Sequence, residues 1–107
     1  MDNQTDLEKQ FHERMMRVYE RAQSECNYNA TDFLGMLNRQ GGLATAKQLL
    51  NTNDLSYGLT RLWEEMRLDL SMEAAVLEDA WRSLFTADEL AKAKKTLKEL
   101  GYKFPDE

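Results

Sequence analysis

Carboxylates are the most numerous groups able to do chemistry in this chain, and some are paired. Glu64–Glu65 and Glu78–Asp79 are adjacent acids, and two carboxyls can divide the roles of general acid and base. Neighbours on a helix point about 100° apart, so neither pair meets on a substrate unaided. An enzyme would need Glu64, Glu65, Asp69 or Glu73 to converge in space. A solvated face is the preferred reading. From Glu64 to Asp79 six acids stand against Arg67 alone, a balance suited to docking a basic partner.

The remaining chemistry is sparse. His12 and Cys26 are the single histidine and the single cysteine. Zinc needs several nitrogen or sulfur donors, so no metal is expected. His12 lies at the edge of an apolar stripe and reads as structural or solvated. Cys26 projects onto that stripe beside Glu25, with no basic neighbour to stabilise a thiolate, and reads as a small core hydrophobe. The two glycines of "RQGGLATAK" match neither a phosphate loop nor a dinucleotide fingerprint. No catalytic residue, cofactor or metal ligand is assigned.

The bulk numbers bound the class. The chain has 107 residues, 42% of them apolar, with a net charge of −5. That is the size of one domain with one core. Val18 and Val76 are the only valines and isoleucine is absent, which disfavours strands. A free-standing nucleic-acid binder usually shows a basic excess, and this chain does not. The polar, acidic start "MDNQTDLEKQ" lacks the basic-then-apolar pattern of a signal peptide. No stretch approaches the roughly 18 apolar residues of a membrane span. A lone thiol suits a reducing compartment.

These residues must be positioned by helices. A first helix is predicted from about Asp6 to Cys26, with a Thr5/Glu8 capping box and Leu7, Phe11, Met15, Val18, Ala22 and Cys26 on one side. A second, capped by Asn29 and stapled by Tyr28 and Phe33, ends at Gly41–Gly42. A third, short, turns Leu43, Ala46, Leu49 and Leu50 inward. A fourth, capped by Ser56, uses Leu59, Leu62, Trp63 and Met66 as a buried seam. On that reading Trp63→Ala costs about 3–5 kcal/mol, and Glu64→Ala or Glu65→Ala less than about 0.5 kcal/mol. Leu68-Asp69-Leu70 is a connector and Ser71 the next cap. Residues 72–85 form one helix or two broken near Asp79, with Met72, Val76, Leu77, Ala80, Trp81 and Leu84 on a wide apolar face. Thr86 and Glu89 cap a last helix, which ends at Gly101. Tyr102 or Phe104 folds back on the core. The expected fold is all-α, a compact irregular bundle of five to six helices. It forms a single domain over 1–107, with tails at 1–5 and 103–107.

Two surfaces are candidates for partners. Met16 projects away from the first helix's main stripe as an exposed apolar contact. Arg61, Glu64, Glu65, Arg67 and Asp69 form the second group. Arg67 and Asp69 either pair to fix the connector or are read by a partner. For nucleic acid, residues 45–66 invite a helix-turn-helix comparison, although Glu64 and Glu65 would then face phosphate. The lysine face Lys92, Lys94, Lys95 and Lys98 is the other route.

The segments "RVYERAQSECNYNATDFLGMLNRQGGLATAKQLL", "GLTRLWEEMRLDLSMEAAVL" and "LFTADELAKAKKTLKELGY" carry a distinctive texture: Tyr-x-Arg-Ala, Gly-Gly-Leu before a helix, Leu-Trp-Glu-Glu and Arg-Leu-Asp-Leu. In these the chain resembles a group of small uncharacterised all-helical bacterial proteins with no assigned activity. The resemblance implies a free-standing bacterial cytoplasmic domain and carries over no functional residue. The residues themselves favour a non-enzymatic protein-interaction or regulatory module, as a homodimer or in a larger heteromeric assembly. The alternative is a nucleic-acid-associated helical protein.

Overall fold

The computed structural model describes residues 3–52 and 57–104, with side chains from 6 to 52 and from 58 to 104. It is an all-α compact bundle. The α-helices are α1 (Asn3–Cys26), α2 (Thr31–Gln40), α3 (Gly42–Leu50), α4 (Tyr57–Glu64), α5 (Met72–Val76) and α6 (Ala87–Glu99). Two 3-10 helices, Leu68–Leu70 and Asp79–Leu84, flank α5. No described helix is long and apolar enough to cross a membrane.

α1 is the spine. It packs against α2, α3, α5 and the 3-10 helix at Asp79–Leu84. Its stripe of Phe11, Met15, Val18, Ala22 and Cys26 is buried as the periodicity predicts. Phe11 sits at the centre, edge-to-face with Trp81 at 5.5 Å and with Phe85 at 5.3 Å, an arrangement aromatic quadrupoles favour. Because helices cover α1 on more than one side, its apolar contact extends past the main stripe. Met16 is therefore half-buried and packed against the central core, not the free apolar contact expected.

α1 and α3 approach closely through Gly42. A methyl group there would meet the His12 Cα at 2.7 Å. The Gly42 N–H donates to His12 Nδ1 at 2.9 Å, so His12 satisfies an otherwise unpaired donor at the start of α3. Gly42 is thus a contact between helices as well as punctuation.

Several helix ends follow the sequence closely. Ser71 accepts from the Ala74 N–H and caps α5. Thr86 and Glu89 complete a reciprocal capping box on α6. Residues 72–85 divide into two short helices, broken after Val76. Within the second, Ala80 is exposed rather than on the buried face. Tyr102 and Phe104 pack against Leu59, Leu68 and Leu97, which holds residues 102–104 on the core.

Other ends differ. α1 is already helical at Asn3, so Thr5 lies within it; the Thr5 side chain and the Ser56 cap fall outside the described residues. α2 starts one residue later than expected, with Ala30 at the cap position. Asn29 does not cap it, because its Oδ1 accepts the Tyr19 hydroxyl at 2.7 Å.

Candidate functional site

α4 is eight residues long, and only one side of it finds cover. It packs chiefly against the 3-10 helix at Leu68–Leu70. Leu59 and Leu62 are buried there. Trp63 is 48% exposed and Met66 is 88% exposed. The expected four-residue seam is therefore two residues wide. A seam that included Trp63 and Met66 would need a second neighbour, and none of the described residues supplies it.

The helix ends in a particular way. The Met66 N–H donates to the Trp63 carbonyl at 3.0 Å and the Arg67 N–H to the Leu62 carbonyl at 2.8 Å. These two bonds define a Schellman cap with Met66 at the left-handed position, and its φ is 60°. The same pair of bonds closes α6, from Gly101 to Lys98 and from Tyr102 to Leu97, and there the left-handed residue is glycine at φ 88°. A side chain with a Cβ is strained in this region by about 1 kcal/mol relative to glycine. One cap uses the residue that stability favours. The other places a large apolar side chain into solvent.

The cationic residues of this region are held by the protein. Arg67 reaches Asp69 through two hydrogen bonds of 3.1 Å and Glu25 of α1 at 2.9 Å. Arg21, at 2.7 Å, and Arg67 together hold the Glu25 carboxyl below its usual range. Arg61 donates to the Cys26 carbonyl at 3.3 Å and pairs with Glu65 at 3.2 Å, which places a cation at the negative end of α1. Arg61 also lies over the Tyr28 ring, 5.9 Å from its centroid. Arg67 and Asp69 therefore pair with each other across the start of the connector.

Glu64, Glu65 and Asp69 are exposed around this end of α4, whereas Glu73 is buried. The four carboxylates do not share one environment. The second adjacent pair is likewise divided. Glu78 receives two bonds of 3.0 Å from Arg14 and one of 2.9 Å from the Trp81 indole N–H. Burial opposes ionisation of Glu78, but Arg14 and the indole outweigh it and hold the carboxyl low. Asp79 is exposed and reaches only Arg82, at 3.8 Å. Burial pushes the Cys26 thiol up, which keeps it protonated. Among the described residues no group of three His, Cys, Asp or Glu is placed to hold a metal ion.

The candidate nucleic-acid lysines all lie on α6. Lys92 bonds to Asn51 at 3.0 Å and pairs with Asp88 at 3.2 Å. Lys94 lies 5.6 Å from the Phe104 ring centroid. Lys94, Lys95 and Lys98 are exposed on α6. Within 45–66, α3 packs on α1, α2 and α6 while α4 packs on Leu68–Leu70. The two helices do not form the tightly packed pair of a helix-turn-helix among the described residues.

Sequence reasoning missed Trp63 and Met66 as surface groups because their i, i+3 and i+4 spacing is that of a buried seam. No protein-family model, curated protein or solved structure matches the chain.

Proposed function

We propose that this is a non-enzymatic protein-interaction module of the bacterial cytoplasm, and that the end of α4 is its contact surface. The carrying observation is the exposure of Trp63 and Met66, three residues apart at the end of one helix, with Met66 held in a left-handed conformation. Aromatic and methionine side chains are enriched where protein surfaces meet. An exposed methionine is an adaptable contact. Glu64, Glu65 and Asp69 are exposed beside the pair. Glu65 and Asp69 already hold Arg61 and Arg67, so Glu64 is the acid most open to a partner. The complementary partner is a protein presenting an apolar socket with a lysine or arginine at its rim. Such a rim governs the association rate and its salt dependence, while the buried apolar anchor governs lifetime.

Affinity purification of the tagged chain, with Trp63→Ala and Met66→Ala beside it, tests the reading. Partner recovery should fall at least tenfold in both variants while their unfolding midpoints stay near the parent's. Equal recovery by all three would overturn it. Recovery of nucleic acid in place of protein, lost on Lys94→Ala/Lys95→Ala/Lys98→Ala and on raising salt, would transfer the function to the α6 lysine face.

A further inference from the structure

A cavity of about 350 Å³ opens between α1, the segment entering α2, α4 and α5. Its walls are apolar, with Val18, Ala22, Phe33, Met36, Leu59 and Leu62 among them. Most of its polar groups are already engaged. The Tyr19 hydroxyl donates to Asn29. Ser71 Oγ donates to the Leu68 carbonyl and accepts from the Ala74 N–H.

Glu73 is different. It lines the cavity, is 9% exposed, and accepts only from its own backbone N–H. A buried carboxyl with no cationic partner costs several kcal/mol when ionised, so its one backbone bond calls for an explanation. No charged side chain acts on it, and burial alone pushes it up to about 7. The other titratable groups on the lining are Tyr19, Tyr28 and Asp32, and no lysine, arginine or histidine is among the described lining residues.

The geometry points to a binding site for a small organic amine, its apolar body in the cavity and its ammonium on the Glu73 carboxylate. The volume accommodates about 12 non-hydrogen atoms at roughly 30 Å³ each. An anion would face Glu73 and Asp32 with no cation to offset them. A neutral alcohol would gain one hydrogen bond and no charge pairing. Only a cation supplies what the buried carboxyl lacks. This site is separate from the exposed end of α4 and does not depend on it.

Three isosteric probes decide the matter: 4-phenylbutylamine, 4-phenylbutanol and 4-phenylbutanoate, titrated calorimetrically into the full chain, with backbone amide shifts mapping the site. At pH 8 the amine should bind at least tenfold tighter than either analogue, and shift residues around Val18, Leu62 and Met72. Its affinity should fall at least tenfold at pH 5, where Glu73 is protonated and the amine remains charged. Glu73→Gln should abolish the preference for the amine and leave the alcohol's affinity unchanged. The comparison of probes and the pH arm use the parent protein, so they stand even where the variant misfolds. Equal affinity for amine and alcohol, amine affinity that does not weaken at pH 5, shifts that map elsewhere, or no binding at millimolar concentration would each overturn the proposal.

Discussion

Met66 and Trp63 show how single residues depart from what stability alone would select. Replacing Met66 by glycine relieves a left-handed backbone and removes a side chain that the fold does not bury. Met66→Gly is therefore expected to stabilise the protein by about 0.5–1 kcal/mol, read as a rise in the urea midpoint at unchanged slope. The two tryptophans should behave oppositely. Trp63→Ala is expected to cost less than about 1 kcal/mol, because half of the ring is already in water. Trp81 is buried, packs edge-to-face with Phe11 and donates its indole N–H to Glu78. Its replacement by alanine should cost about 3–5 kcal/mol. The spacing of apolar residues shows which positions can face a core, but the seam width is set by how many neighbours pack on the helix. For an eight-residue helix beside a three-residue 3-10 turn, that was not legible from the sequence.

At the scale of elements, polar contacts fix how the helices dock. Glu89 of α6 receives Lys47 Nζ at 2.7 Å, the Thr86 N–H at 3.0 Å and Asn51 Nδ2 at 3.1 Å. Its capping box was readable because Thr86 and Glu89 lie three residues apart. Its ties to Lys47 and Asn51 of the α3 segment were not, since they span about forty residues of chain. Glu89→Gln should weaken the docking of α6 on α3 by about 2 kcal/mol at neutral pH, as loss of a charged, hydrogen-bonded partner does. Gly42 is the steric counterpart. Gly42→Ala places a methyl against the His12 backbone, and overpacking of this kind costs about 1–3 kcal/mol, visible as a lower thermal midpoint. Helix existence and order were legible, since α1, α3, α5 and α6 carry clear stripes or caps. The α2 cap was not, because Tyr19 claims the Asn29 side chain across a turn.

For the whole molecule, the two buried carboxylates act on stability in opposite directions. Burial works against ionisation of Glu89, but Lys47, the Thr86 N–H and Asn51 outweigh it and hold the carboxyl at about 2. Below its ordinary value of 4.5 the unfolded chain takes up a proton that the folded one resists, so stability falls as pH drops from about 4.5 towards 2. Glu73, pushed up to about 7 by burial, keeps a proton that the unfolded chain releases, so stability also falls as pH rises from about 4.5 through 7. Unfolding free energy should therefore peak near pH 5 by urea titration. In Glu73→Gln the decline between pH 5 and 8 should vanish. The all-α bundle was legible in composition and periodicity, while the α4 surface and the Glu73 cavity emerge only from how the helices assemble. The central claim, that the end of α4 is a contact surface rather than core, is tested most directly by pairing two readouts on Trp63→Ala. The variant should unfold with a free energy within about 1 kcal/mol of the parent and lose partner recovery at least tenfold. A variant that unfolds, or one that stays folded and recovers its partner undiminished, would contradict it.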